Sequence, residues 1–210
     1  MRSHSQSTAF LAINAVAILE PPASISPAER RLPATNPQSP TLCRMLVVLG
    51  GLPGVGKTTI ARAFSKAVSA VHVRIDSIEL AIRDSGVTVI SLEDAGYRAA
   101  YAVAEDNLRV GHIVVADSVN PIPITRAAWL DVARRAGTRA IEVEIRCSDQ
   151  AEHRRRVESR LADRERGGTT WQDVLSRDYR PWPTVTHVID TAVLTVDQAV
   201  GGLRGAALGA

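Results

Sequence analysis

An α/β fold, with a parallel sheet covered by helices on both faces, is what this 210-residue sequence predicts. Three observations predict it. From residue 45 onward, short apolar runs of strand length alternate with amphipathic runs of helical period. The apolar runs are continuous, which suits parallel strands buried on both faces. Between the first such run and the first such helix stands Gly51-Leu-Pro-Gly-Val-Gly-Lys-Thr58, which fits G-x-x-x-x-G-K-[ST].

The first strand is Met45-Leu-Val-Val-Leu49. The helix after the motif carries Ile60, Ala61, Phe64, Ala67 and Val68 on one face at helical spacing. Between them, Gly51, Gly54 and Gly56 allow backbone conformations closed to residues with a Cβ. Successive N–H groups can then turn inward as a cradle for phosphate oxygens. Gly51, Leu52, Pro53, Gly54, Val55, Gly56, Lys57, Thr58 and Thr59 form the predicted nucleotide-binding stretch. Lys57 can reach the β- and γ-phosphates, and the Thr58 hydroxyl can sit on Mg²⁺ at a helix N-terminus that favours anions. Lysine is rare here: Lys57 and Lys66 are the two in the chain, and one falls in the motif.

The remaining elements follow in order. Val71–Ile75 reads as a second strand ending at Asp76-Ser77, a helix start, with a short helix through Arg83 and a turn at 84–86. Ser91-Leu-Glu-Asp94 is a capping-box pattern opening a long helix that Gly111 stops. His112–Ala116 is a third strand ending at Asp117, and residues 118–124 form a loop into a helix over Thr125–Ala136. Ala140–Arg146 is a fourth strand, followed by an Arg-rich helix from about Asp149. Thr170 caps another helix, broken by Pro181 and Pro183. Thr186–Asp190 is a fifth strand, and Thr195 caps the last helix.

Composition bounds the function. Hydrophobic content of 45% with 22% charged residues is that of a soluble globular protein. The formal net charge is +3, but four arginines and two acids fall within residues 1–44, leaving the rest nearly neutral. That is not the balance of a general nucleic-acid binder. Cys43 and Cys147 show no metal or redox spacing and suit a reducing compartment. No apolar run reaches membrane-spanning length. Residues 1–44 hold six of the eleven prolines and no glycine, and read as a loosely extended extension ahead of a domain over 45–210. A cytoplasmic location is expected.

Ligands of parallel sheets collect at the carboxyl ends of the strands. That rule selects Asp76, Asp117 and Asp190 beside the phosphate loop. A carboxylate after a hydrophobic strand can hold Mg²⁺ directly or through water, and Asp117 follows Ile113-Val-Val-Ala116. Its competing reading is a simple turn cap. Asp76 can orient an attacking hydroxyl and take its proton, or merely cap a helix. Arg156, Arg160 and Arg164 recur every four residues and line one helix face. Near a polyphosphate they can neutralise developing charge. Glu152, Glu158, Asp163 and Glu165 are interspersed and can instead pair with them. Gly167-Gly168 supplies a hinge for such a lid. Weaker candidates are Asn120, Tyr97, Arg98, Tyr101 and the Trp171–Trp182 segment. Tyr97, Tyr101 and Trp129 read more readily as core.

On these residues, the domain resembles the P-loop small-molecule kinases, a group often labelled AAA-type ATP-binding protein or predicted kinase. It is similar to chloramphenicol phosphotransferase, zeta-toxin kinases and the kinase domain of polynucleotide kinase. The resemblance spans about residues 45–203 and rests on Gly51–Thr59, Arg74-Ile-Asp76-Ser77, Val114-Val-Ala-Asp117 and Arg156-Val-Glu-Ser-Arg160. Ile189-Asp190-Thr191 resembles the last-strand segment near the adenine. It implies a three-layer P-loop NTPase fold with sheet order 2-3-1-4-5 and an Arg-bearing lid. It implies ATP and Mg²⁺ as cofactors, with Thr58 and Asp117 holding the metal. It also implies Asp76 as general base and Lys57, Arg156 and Arg160 as phosphate stabilisers. The second-region features of AAA+ motors and the N-K-x-D guanine signature are missing. Asp117-Ser-Val-Asn120 is not the D-G-D of adenylylsulfate kinases.

The expected function is transfer of the γ-phosphoryl group of ATP to a hydroxyl of a small molecule. A 5′-hydroxyl polynucleotide kinase is one alternative, which the near-neutral domain and low aromatic content do not favour. A nucleotide-binding regulatory ATPase without phosphotransfer is the other.

Overall fold

A computed structural model describes residues 44–85, 94–162 and 168–209. Most of the predicted extension, the capping-box residues 91–93, Arg164 and Gly167 lie outside them. The elements run β1 (Met45–Gly50), α1 (Lys57–Val68), β2 (Val71–Arg74), α2 (Ile75–Asp84) and α3 (Ala95–Arg109). After these come β3 (Val114–Asp117), α4 (Pro123–Arg135), β4 (Arg139–Arg146), α5 (Gln150–Ala162), α6 (Trp171–Leu175), β5 (His187–Asp190) and α7 (Val196–Gly209). One five-stranded sheet has the order β2-β3-β1-β4-β5. Every pairing is parallel.

The central strand explains the layering. All six residues of β1 are buried. Successive side chains point to opposite faces, so Met45, Val47 and Leu49 pack towards Ile60 and Phe64 of α1 and Leu203 of α7. Leu46 and Val48 pack towards Ala104 and Leu108 of α3 and Trp129 of α4. A strand flanked by neighbours on both edges and helices on both faces cannot be polar anywhere.

Several boundaries differ from the sequence reading, each for a local reason. β2 stops at Arg74, and Ile75 already belongs to α2, so Asp76 sits in the first turn of a helix and not on a strand. β3 is shifted towards its C-terminus. Its register pairs Leu49 with Asp117, making the aspartate the last strand residue. α4 begins with Pro123, whose missing N–H costs nothing at a first helical position. α6 ends at Leu175, well before Pro181, and the largely exposed stretch after it is anchored at Trp182, which is buried in the core. The expected caps at Thr170 and Thr195 form. The Thr170 hydroxyl accepts from Asp173 N–H while Asp173 accepts from Thr170 N–H, and Thr195 and Gln198 do the same for α7. No helix among the described residues is long and apolar enough to cross a membrane.

At Gly50 a Cβ would overlap the ring of Trp182, whereas Gly201 in α7 has open space around it. Gly50→Ala is expected to lose about 1–3 kcal/mol by forcing the indole aside. Gly201→Ala is expected to gain up to about 1 kcal/mol from helix propensity. Urea unfolding of the two variants beside the parent checks both signs.

Candidate active site

The turn leaving β1 is fixed before any ligand is considered. Gly51 N–H donates to Val119 O at 3.0 Å, tying the start of the phosphate loop to the loop after β3. Gly51 has φ 139°, and a Cβ there would overlap the Ile145 carbonyl. Gly54 and Gly56 have φ 88° and 100°, in the left-handed region that favours glycine. The loop is buttressed from outside. His153 Nε2–H donates to Pro53 O at 2.7 Å. The Thr191 hydroxyl donates to Val55 O at 2.8 Å. α1 then opens at Lys57, so its unpaired N–H groups face the cradle.

Lys57 is nearly buried, and its ammonium donates to Gly51 O at 2.7 Å and Leu52 O at 2.8 Å. Burial lowers its pKa to about 8; the charges of Asp117 and Asp76 oppose that shift, and Arg160 and Arg177 add to it. These four groups are therefore the lysine's charged surroundings.

Asp117 is 3% exposed. Its Oδ2 accepts from His72 Nε2 at 3.1 Å and lies 3.8 Å from Arg74 Nε. Burial acts to raise its carboxyl, but hydrogen bonds from His72 and Thr58 and the charge of Lys57 hold it below its ordinary value. A carboxylate beside the Thr58 hydroxyl is a pair of hard oxygen donors, which fits Mg²⁺ completed by phosphate oxygens and water. Among the described residues no cluster of three or more His, Cys, Asp or Glu is arranged to hold a metal by protein groups alone.

Asp76 is 60% exposed and accepts from Arg74 Nη2 at 2.6 Å. Arg74 thus spans Asp76 and Asp117, the carboxylates at the ends of two adjacent strands. The register accounts for this, since Arg74 pairs with Asp117 across β2 and β3. His72 lies two residues earlier on the same side of the strand.

The arginine stripe divides. Arg156 turns away from the loop's open side: Nε donates to Glu152 at 2.7 Å, and Nη1 and Nη2 donate to Thr191 Oγ1 and O. Arg154 and Arg155 pair with Glu158 and Glu152 on the helix surface. Arg160 lines the cleft, and on the same wall stand Asp173, Ser176 and Arg177. Arg177 lies in the Trp171–Trp182 segment, a weaker candidate in the sequence, where no repeat or motif singles it out. The Gly54 backbone meets Val157 and His153 of α5, which seats that helix directly on the loop.

Beyond the phosphate loop the cleft continues, about 1750 Å³ in all, between α2, α3 and the start of α4. This chamber is lined by Glu79, Tyr97, Tyr101, Ser118, Ile124 and Thr125 among others. Tyr97 and Tyr101 therefore serve both core and cleft, with ring centroids 5.9 Å apart. Glu79 fits against α3 because residue 96 is glycine; a Cβ there would collide with the glutamate side chain. Burial and then the charge of Asp76 push the Glu79 carboxyl up. Three arginines of the chamber lie beside carboxylates: Arg74 beside Asp76, Arg83 beside Glu79 at 3.8 Å, and Arg98 beside Asp94 at 3.6 Å.

Asn120 is fully buried with φ 48°. Its amide donates to Leu49 O at 2.8 Å and its Oδ1 accepts from Trp129 Nε1 at 3.2 Å. Asp190 accepts from the N–H groups of Ser148 and Ala192, so it organises the turn beside Thr191. Asn120→Ala is expected to cost about 1–3 kcal/mol by orphaning buried groups, read by denaturant unfolding with the m-value unchanged.

A family model described as AAA domain matches residues 46–178. Curated relatives include "Uncharacterized protein Rv2004c" of Mycobacterium tuberculosis, 33% identical over 115 residues, covering 49% of this chain and 23% of the relative. A protein of Mycobacterium bovis, "Uncharacterized protein Mb2027c", matches to the same extent. The chain thus spans about a quarter of the length of the curated relatives it matches. Among solved structures, the Mycobacterium tuberculosis APS kinase CysC in complex with AMPPNP and APS is similar, with TM-score 0.64 and 19% identity. It is covered to 99%, over 80% of this chain. Chaetomium thermophilum Kti12 in complex with ADP-AlF3 has TM-score 0.57 and 22% identity, over 77% of this chain and 98% of that one. A gluconokinase from Sinorhizobium meliloti 1021 has TM-score 0.54 and 17% identity, over 78% and 93%. At these identities the structures show a shared fold.

Proposed function

The chain belongs to the AAA domain family and has the fold of P-loop kinases, and from that premise we propose that it transfers the γ-phosphoryl group of ATP to a hydroxyl of a small molecule. The observation that carries this reading is one cleft lined by the phosphate loop, Asp117, Asp76, Arg160 and Arg177, and running on into a chamber large enough for an acceptor. A nucleotide binder without transfer needs neither the chamber nor a second carboxylate at its entrance.

In this reading Asp76 orients the acceptor hydroxyl and takes its proton. The freed oxygen attacks the γ-phosphorus, the bond from γ-phosphorus to the bridging oxygen breaks, and ADP leaves. Lys57 exchanges the Gly51 and Leu52 carbonyls for phosphate oxygens. Arg160 and Arg177, which line the same cleft, neutralise charge on the transferred group. Thr58 and Asp117 would hold Mg²⁺, which when bound supplies further neutralisation of the phosphates. Arg156, tied to Thr191, supports the loop indirectly.

The chamber also restricts the acceptor. An anionic acceptor would meet Asp76, Glu79 and Asp94 with the local arginines already paired. An uncharged or amine-bearing alcohol meets hydroxyls, phenol rings and carboxylates that can accept its protons.

Asp76→Asn is expected to lower phosphotransfer by about 10²–10⁴-fold, with ATP affinity within about threefold of the parent by calorimetry. Retained transfer would remove Asp76 from the mechanism. A mass-shift screen with MgATP against neutral polyols, amino alcohols and sugar phosphates reads the acceptor class. Phosphorylation confined to sugar phosphates would refute the charge argument, and no product from any class would refute phosphotransfer to small alcohols.

A further inference from the structure

Arg126, in the first turns of α4, is a buried cation that the proposed reaction leaves unexplained. It is 4% exposed, and the ion pairs among the described residues give it no carboxylate. Its guanidinium donates instead to four backbone carbonyls. Nε bonds Asn120 O at 2.8 Å and Nη1 bonds Pro181 O at 2.7 Å. Nη2 bonds Pro121 O at 3.1 Å and Arg180 O at 2.7 Å. Its faces lie against Trp182, 4.7 Å from the ring centroid, and Tyr179 at 5.4 Å.

A buried charge without a counter-ion is costly, and an apolar side chain of similar volume would fill the site more cheaply. What an apolar side chain could not do is join these carbonyls. Two of the four belong to prolines and two to the residues just before them. Proline has no N–H to give, so these two strips of chain cannot knit together as a ladder. They share the bond from Arg180 N–H to Pro121 O at 2.9 Å. Arg126 supplies the missing donors from the side.

The two strips are functional neighbours. One is the loop after β3, whose Ser118, Val119 and Pro121 line the chamber. The other runs from Ser176 to Trp182 and carries Arg177 into the cleft, close enough to act on the Lys57 charge. Trp182 anchors its far end against Gly50 and donates to Glu142 at 3.1 Å. Tyr179 donates to Glu144 at 2.9 Å.

We propose that Arg126 is a positioning residue that holds residues 176–182 so that Arg177 stands opposite Lys57 at the γ-phosphate. This rests on the phosphate role of Arg177 in the reading above. A cation opposite the γ-phosphate is felt by ATP and not by ADP, so the ratio of the two affinities reports it without any acceptor.

The test is a double-mutant cycle on the full chain, with MgATP and MgADP binding measured by calorimetry. Arg177→Ala is expected to reduce the preference for MgATP over MgADP by about tenfold. Arg126→Met should reduce it to a similar extent, and the double variant no further, since both act through one guanidinium. Arg126→Lys keeps the charge but cannot reach four carbonyls, so it should resemble Arg126→Met. It also carries the cycle if the methionine variant does not fold. Amide hydrogen exchange over residues 177–182 should quicken in the Arg126 variants and not in Arg177→Ala. Effects that multiply in the double variant, or an Arg126 variant with full ATP preference, would overturn the inference while leaving Arg177 in place. An Arg177→Ala variant with full preference would remove the phosphate role itself, and the inference with it.

Discussion

Everything functional in this chain hangs on the turn where the backbone leaves β1 between two paired neighbours. Gly50 abuts the Trp182 ring and Gly51 abuts the Ile145 carbonyl. Gly51 N–H and Leu49 O are each claimed by the loop after β3, through Val119 O and the Asn120 amide. The turn therefore has no lateral freedom, and side chains larger than hydrogen are excluded by neighbours on two sides. A phosphate cradle needs that immobility. Its N–H groups must already point inward when the anion arrives, because ordering them at that moment would subtract from the binding free energy.

The surrounding polar residues extend the same constraint outward. Asn120, Arg126 and Glu142 are buried, and each is bonded to groups on other segments. They fasten stretches that lack regular backbone pairing: the loop after β3, the approach to Pro181, and the indole beneath Gly50. Isolated burial of such groups is unfavourable, but fully bonded networks select one arrangement over others of similar compactness. The exposed ion pairs of α5, by contrast, sit in solvent and contribute little.

The sequence announced the sheet because continuous apolar runs leave few alternatives, and it announced the phosphate loop because only glycine tolerates those backbone angles. Asp117 and Asp76 were legible as strand-end carboxylates, although Asp76 belongs to a helix turn. The arginine stripe was legible as a helix face, but not its division. Which arginine meets the cleft depends on whether Glu152 and Thr191 are near enough to capture one of them, and Thr191 arrives from 35 residues downstream. His72 was readable only once the register of β2 against β3 was known. Arg126 was silent and Arg177 was covered only by the broad Trp171–Trp182 candidate, since their surroundings come from carbonyls and charges supplied by distant segments. Local periodicity fixes elements; the chamber beyond the phosphate loop is made by the packing of three of them, and no single segment encodes it.

The charges of the cleft form a balanced set that a polyphosphate would complete. Lys57 feels two arginines that disfavour its proton and two carboxylates that favour it. It rests with its ammonium on two carbonyls of its own loop, partial charges weaker than a phosphate oxygen. His72, Thr58 and Lys57 offset the burial of Asp117 and hold its carboxyl below its ordinary value. An incoming triphosphate would bring its anions into the cleft that Lys57, Arg160 and Arg177 line. It would draw Lys57 off the carbonyls while leaving Asp117 bonded to His72. Each group would thus exchange a weaker partner for a stronger one with little movement of backbone. The same exchange made by an anion in the chamber would find Arg74, Arg83 and Arg98 already beside carboxylates, so under the proposed reaction the cleft would have a polyphosphate end and an end suited to uncharged or cationic alcohols.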